Sequence, residues 1–382
     1  MKRSTERILT THTGSLPRPD GLRATLRTLD TGGPTDREVF KEQARRAVSE
    51  TVRRQREAGL DVVNDGEMSK VSYVTYVSER LSGIGGSGAI PRVGDARDYP
   101  EWAKSVGFDD ISNQLTTPAC IGDVAYADLE PLNTDIANLR AAVADDAAGE
   151  AFMTAASPGV ISFFLENQHY GAHTDYVAAL AAAMKVEYDA IHRAGFILQI
   201  DAPDLAMGRH NQFPDSSLEE WREIAMVHVE ALNDATRDIP PEAMRLHLCW
   251  GNYPGPHHLD VPLVEVLDIA LRARPAAISF EAANPRHEHE WRVFEDVELP
   301  DDRILIPGVI DSTTNYVEHP ELVAERIERY ASVVGRLRVI AGVDCGFASL
   351  AKARPMVHPT IVWEKLQTLV EGARIASAIL DS

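Results

Sequence analysis

The chain reads as an α/β protein, a single (β/α)8 TIM barrel with an insertion after the second strand. Three observations predict this. Short β-rich runs alternate with helical patterns along most of the 382 residues, the signature of parallel βαβ units. About eight such runs are present, the number that closes a barrel. Polar or ionisable residues collect where the runs end, at the face where this fold carries its active sites.

The first run, ILTTHTGS from residue 8, ends on Thr11, His12, Thr13 and Ser15, with Gly14 allowing close backbone approach to a ligand. A simple turn is the alternative reading of that ending. The helical pattern EVFKEQARRAVSETVRRQREAG then stops on Gly59 as a C-cap. DVVNDGE from residue 61 is the second strand and puts Asp65 and Glu67 two apart, on one face. Residues 82–131 break the rhythm with a Gly-rich GIGGSG, a polar loop through Asp98 and Pro100, and a hairpin expected around ACIGDVAYADLEP. This stretch reads as an insertion capping the barrel mouth. Its G-x-G-x-x-G match, Gly83 to Gly88, neither follows a clear strand nor opens a helix, so it is expected to be a flexible loop.

AFMTAAS from 151 and FILQIDAPD from 196 resume the alternation, the latter ending on Asp201 and Asp204. RLHLCWGN from 245, AISFEAAN from 277, ILIPGVIDS from 304 and RVIAGVDCG from 338 complete the set. Before the last of them, HPELVAERIERYASVVG carries Pro320 in its first turn and ends on Gly335. No linker rich in Pro, Gly or Ser divides the chain, and no repeat is visible beyond the βα rhythm. One domain over residues 1–382 is expected.

Asp plus Glu outnumber Lys plus Arg by 58 to 38, a formal charge of −20, and no basic stripe could follow a phosphate backbone. Nucleic acid is therefore not an expected partner. No apolar run reaches the roughly 18 residues needed to span a bilayer, and the opening MKRSTERILTTHTG turns polar too soon for a signal peptide. A cytoplasmic protein is expected. With three cysteines, Cys120, Cys249 and Cys345, a disulfide framework is not expected, and Cys120 reads as structural.

His247, Cys249, Glu281 and Cys345 stand at the ends of three different predicted strands, and together they have the donor chemistry of a zinc site. Strand side chains alternate faces, so His247 and Cys249 at i and i+2 point the same way and can grip one ion. A buried Cys also serves as a small hydrophobe and a strand-end His as a satisfied core residue; the shared position of all four in the repeating unit favours the metal. His257, His258, His287 and His289 follow the same strands and are rival ligands or acid/base groups, while Arg286 suits an anionic substrate end. The H-E-x-x-H, G-x-S-x-G and G-x-x-x-x-G-K-[ST] patterns are absent, which removes support for zinc-protease, serine-hydrolase and P-loop chemistry. A zinc held by two thiolates and an imidazole suits a thiol substrate, because the metal removes the thiol proton that a free thiol of pKa about 8.5 gives up only in part at neutral pH.

Here the residues resemble a known family, the catalytic barrel of cobalamin-independent methionine synthase. The likeness rests on T-x-x-GS-x-P at residues 11–17, GE at Gly66 and Glu67, QID-x-P at 199–203, H-x-C at His247 and Cys249, Glu281, GV-x-D at 308–311, and DCG at 344–346. The resemblance implies that His247, Cys249, Glu281 and Cys345 bind a catalytic zinc that activates homocysteine for methyl transfer from a folate. It also implies that Ser15, Glu67 and Asp201 hold the amino-acid end, the two carboxylates facing the ammonium. The family's second, folate-binding barrel has no room in 382 residues. Its proton-donating His two residues after the GV-x-D Asp is Thr313 here, and its pterin-facing Trp falls near Phe164.

Short single-barrel relatives include epoxyalkane:coenzyme M transferase, where a thiolate opens an epoxide, and Arg286 or Arg209 could serve a sulfonate or carboxylate. The expectation is thus a zinc-dependent thiol S-alkyltransferase acting on small molecules, with methyl transfer to homocysteine or a similar thiol leading and epoxide opening second. A zinc hydrolase, which needs water on the metal, and a non-catalytic metal-binding or methyl-carrier protein are the readings from other classes.

Overall fold

The computed structural model describes residues 1–89, 93–107, 117–144, 149–353 and 355–381. Its centre is a six-stranded parallel sheet formed by β2 (Val62–Asn64), β5 (Glu150–Ala156), β6 (Ile197–Asp201), β7 (Met244–His247), β8 (Ala277–Phe280) and β9 (Ile304–Pro307), in that spatial order. Sequential order and parallel pairing follow from the helix that returns the chain after each strand. A second parallel pair joins β1 (Leu9–Thr10) to β10 (Ile340–Ala341). Isolated bridges link Leu305 with Val339 and Gly308 with Gly342, and Asp61 N–H donates to Thr10 O at 3.1 Å, so the pair lies between the two ends of the larger sheet.

The helices carry the signals the sequence gives them. Asp36 caps Arg37–Ala58 by accepting from the N–H groups of Glu38 and Val39, and Gly59 ends it. His319 caps Pro320–Val334, and a full capping box between Ser217 and Glu220 opens Leu218–Ala235. Their apolar faces cover the sheet, burying Leu, Ile, Val and aromatic side chains in one large cluster. Among the described residues no helix is long and apolar enough to cross a membrane.

The sheet interior is not wholly apolar. The Arg245 guanidinium, 1% exposed, donates to Gln199 Oε1 at 2.6 Å, Thr11 Oγ1 at 2.9 Å and His12 O at 2.7 Å, and lies 3.4 Å over the Phe152 ring. A buried charge is tolerable only when satisfied in this way. The same array fixes Gln199, which in turn donates to Asp201 Oδ1 at 2.7 Å.

Two expectations for residues 82–131 are corrected. GIGGSG is not a loop: Ile84–Gly88 forms β3, paired antiparallel with β4 (Thr117–Cys120), with a register shift between Gly85 and Gly88. The segment around ACIGDVAYADLEP does not fold on itself. Ile121 N–H donates to Gly83 O, Ser82 N–H to Ala125 O and Ala127 N–H to Arg80 O, so both its ends pair with residues 80–88. A distant partner strand outweighs the weak β-propensity of glycine. Residues 90–92 and 108–116 of this stretch lie outside the described residues; Asp98 and Pro100 belong to the short helices Gly94–Asp98 and Pro100–Ser105.

Candidate active site

His247, Cys249 and Cys345 converge at the C-terminal ends of the strands. One ligand atom from each lies within 4.8 Å of the others. His247 is the last residue of β7; Leu248 then continues toward β8 by donating its N–H to Ser279 O at 2.8 Å, which keeps Cys249 directed as a strand residue would be. Cys345 arrives from beyond β10, with its sulfur 3.5 Å from that of Cys249, and both cysteines are free.

The donor set fits a metal on three counts. The two sulfurs face each other without a disulfide, and among the described residues Nε2 of the buried His247 has no hydrogen-bond partner, an expense a fold rarely tolerates without purpose. Its other nitrogen is placed by Ser279 Oγ at 3.3 Å. Burial, with Arg245 adding to it, drives His247 down to about 3, so the imidazole is neutral and available as a ligand. The Cys345 neighbour, then burial, raises the Cys249 thiol well above its usual range, which is the behaviour of a thiol pair lacking a counter-cation.

Glu281 stands beside this group, its carboxyl in electrostatic reach of the Cys249 thiol. Its oxygens are also held: Oε1 accepts from Trp250 N–H and Oε2 from Asn284 Nδ2, each at 2.7 Å. Burial, then Cys249, raises its carboxyl well above the carboxylate range. The compact donor group is therefore the three residues His247, Cys249 and Cys345, with Glu281 adjacent. Asp344 steadies the arrangement by accepting from Ala282 and Ala283 N–H at 2.8 and 2.9 Å, tying the segment after Glu281 to the residue before Cys345.

Glu67 and Asp201 form a second constellation. Glu67 holds a left-handed backbone, φ 57, a conformation uncommon outside glycine that marks a constrained site. It is kept there by the buried Arg18, which donates to Glu67 O at 2.8 Å, Lys70 O at 2.9 Å and Ala348 O at 2.6 Å. Glu67 Oε1 accepts from Thr154 Oγ1 at 3.0 Å; Oε2 is buried with no partner among the described residues. Burial and the nearby Glu67 raise Asp201 to about 8. Two buried carboxyls so arranged repel unless a cation lies between them. A Cβ on Gly14 would sit 2.7 Å from Glu67 Oε1, so only glycine lets the first strand approach this carboxylate. Ser15 joins the same region: its Oγ accepts from Ala348 N–H at 3.2 Å and its carbonyl from Phe347 N–H at 2.9 Å.

The sequence profile of the family described as cobalamin-independent synthase, catalytic domain, matches residues 8–361. The chain belongs to the cobalamin-independent methionine synthase family. Members of that family are methyltransferases, and this chain is one of them. It is 26% identical over 368 residues to the methionine synthase of Sulfolobus acidocaldarius, covering 96% of this chain and 91% of that one. It is equally 26% identical over 369 residues to that of Saccharolobus solfataricus, covering 96% and 94%. Its fold matches the B12-independent methionine synthase of Shewanella sp. W3-18-1, solved with selenomethionine, at a TM-score of 0.75 with 19% identity over 98% of this chain and 99% of that one.

In this family member the rival histidines go elsewhere. His257 Nδ1 and His287 Nε2 face Asp260 Oδ2 at 2.8 and 3.0 Å, and His287 Nδ1 faces Glu290 Oε2 at 2.8 Å. His258 lies 2.9 Å from Asp95 and 3.0 Å from Asp98. They tie helix Gly94–Asp98 to the loops after β7 and β8 and do not join the donor group. His289 and Arg286 are exposed and Arg209 is half-buried on helix Asp204–Asn211. Arg18, Lys70, Thr154 and Arg245, which with Gln199 hold the acidic pair, were not singled out by sequence reasoning. The signal for Arg245 was available, since an Arg facing into a strand-rich core needs partners.

Proposed function

We propose that this protein is a zinc-dependent thiol S-alkyltransferase that methylates homocysteine or a closely similar thiol. The observation that carries the reading is the pairing of two constellations at one strand-end face: a soft His–Cys–Cys donor group and a buried acidic pair, Glu67 with Asp201, poised for an ammonium. His247, Cys249 and Cys345 would hold the metal, and Glu281 beside them would be a further oxygen donor to it. When bound, zinc supplies a Lewis acid that lowers the pKa of a thiol.

The chain's own residues do the rest. Glu67 and Asp201 bind and orient the ammonium, Ser15 supports the carboxylate end through the 346–348 turn, and Gln199 and Arg245 hold Asp201 in place. The β1–β10 pair supports reading the two sheets as one closed (β/α)8 barrel, a single domain with residues 82–131 as an insertion at its mouth. Small molecules, not nucleic acid or membrane, are the partners.

Opening of an epoxide by the same thiolate is the second reading. It is favoured by one observation: the Asp311 carboxylate takes hydrogen bonds from the backbone and hydroxyls of Thr313 and Thr314, so this turn carries no proton-donating imidazole. Metal analysis of Cys249→Ser and Cys345→Ser tests the shared chemistry. Both should lose zinc and turnover; full zinc and full turnover in either would refute it.

A further inference from the structure

Breaking a carbon–nitrogen or carbon–oxygen bond in the alkyl donor leaves an electron pair on the departing atom, and that atom needs a hydrogen-bond donor. Several cationic and hydroxyl donors near the site are committed. Lys70 Nζ gives to Thr154 O at 2.6 Å and Thr154 Oγ1 at 3.0 Å; Arg18 holds three carbonyls; Thr313 and Thr314 are turned back on Asp311.

Tyr73 is different. The segment it belongs to is anchored to the chain just beyond Cys345: Tyr73 N–H donates to Ser349 O at 3.3 Å, Ala351 N–H donates to Val71 O at 2.9 Å, and Ser72 bridges Leu350. Its ring meets Phe164, at the end of helix Pro158–Phe164, edge-on with centroids 6.0 Å apart. This fixes the ring between the loops after β2, β5 and β10. The side chain is half-buried, and its hydroxyl has no hydrogen-bond partner among the described residues. Burial keeps the phenol protonated, and the acidic side chains within electrostatic reach, Cys249, Cys345, Asp201 and Asp204, reinforce this. A hydroxyl in such company is a donor, free to point at whatever enters.

We infer that the Tyr73 hydroxyl is a catalytic residue that donates a hydrogen bond to the leaving nitrogen or oxygen of the alkyl donor. This rests on the S-alkyltransferase reading above. In the step, the thiolate sulfur forms a bond to the donor's carbon while that carbon's bond to nitrogen or oxygen breaks. The electron pair goes to the leaving atom, which accepts the hydrogen bond from Tyr73 and takes its proton from water.

The test is Tyr73→Phe, which keeps the ring and its packing on Phe164 and removes no hydrogen bond within the fold. Zinc-loaded wild type and variant, saturated with homocysteine, are each given 5-methyltetrahydrofolate, 1,2-epoxypropane and methyl iodide in single-turnover experiments. Zinc content and homocysteine affinity, measured by calorimetry, serve as independent readouts. The expected result is unchanged zinc, unchanged thiol affinity and an unchanged rate with methyl iodide, whose iodide leaves unaided. With whichever of the other two donors the wild type uses, the rate should fall about tenfold to a hundredfold, the loss of one strong hydrogen bond in the transition state. Equal rates for wild type and variant with that donor would overturn the inference, as would an equal slowing with all donors, which marks a structural role. Wild type that reacts with methyl iodide alone would also overturn it, since no leaving atom then needs Tyr73. Wild type that alkylates homocysteine with none of the three fails the S-alkyltransferase reading itself.

Discussion

Replacing Asp201 by Asn changes the charge of the acidic pair while keeping its shape. Asn retains an oxygen to accept the 2.7 Å hydrogen bond from Gln199 Nε2, so the strand end need not move. What is lost is one charge-assisted contact to a substrate ammonium, worth about 1.5–3 kcal/mol, or roughly a tenfold to 150-fold weaker complex. A second effect follows from the free protein. Burial and Glu67 raise Asp201 to about 8, so below that pH the free site carries a proton that an incoming ammonium must displace. Homocysteine affinity should therefore rise about fivefold between pH 7 and 8 on this account, and that part of the slope should vanish in Asp201→Asn. The sign for folding is the reverse of a salt-bridged carboxylate. An acid raised in the folded state costs stability as pH rises from its unfolded value of 3.8 toward 8, so the variant should be as stable as wild type below about pH 3.8 and increasingly more stable as pH rises to 8. The assay is calorimetric titration of the zinc protein with homocysteine and with 4-mercaptobutyrate, which lacks the amino group. Homocysteine should suffer the loss and 4-mercaptobutyrate should not. Equal losses for both thiols, or none for homocysteine, would refute the assignment of Asp201 to the ammonium.

Three further outcomes follow from the geometry. Gly14→Ala places a methyl group 2.7 Å from Glu67 Oε1 and 2.8 Å from Thr154 Cγ2; homocysteine affinity should drop at least tenfold while zinc content, measured by elemental analysis, stays at wild-type level. Arg18→Met strips three buried carbonyls of their donor, and urea unfolding should show a loss of about 2–4 kcal/mol together with weaker thiol binding. His287 is lifted to about 10 because its hydrogen bonds to Asp260 and Glu290 outweigh burial. Its contribution is fully present below the unfolded value of 6.5 and is lost as pH rises through 10, so thermal melts of His287→Gln should differ from wild type most below pH 6.5 and converge above pH 10.

Much of this was legible in the sequence because it depends on local rules. Gly59, Pro320 and Gly335 mark helix ends by their own chemistry. The strand-end positions of His247, Cys249 and Cys345 follow from counting within each βα unit, and the structure groups the three. The expected runs of eight or nine residues at the first and last strands proved too long. Only Leu9–Thr10 and Ile340–Ala341 pair as strand, because the backbone then leaves the ladder to present polar side chains, as when Thr13 Oγ1 donates to Val343 O at 2.7 Å. The fate of His257, His258 and His287 was not readable: the partners of His258, Asp95 and Asp98, are set by how the stretch after β2 docks, and His257 and His287 meet on Asp260 only because the loops after β7 and β8 pack together. Nor was Tyr73, which belongs to no motif and owes its place to pairing with residues 349–351. Gly85 and Gly86 misled for a related reason: composition suggests a loop, while pairing with Thr117–Cys120 makes a strand.

The central claim is that this face of the protein binds zinc and activates a thiol. Zinc X-ray absorption on the purified protein, with and without homocysteine, tests it most directly. The account predicts about two zinc–sulfur bonds near 2.3 Å in the free protein and one more when homocysteine is added. Absence of zinc, or a sulfur count that homocysteine leaves unchanged, would contradict it.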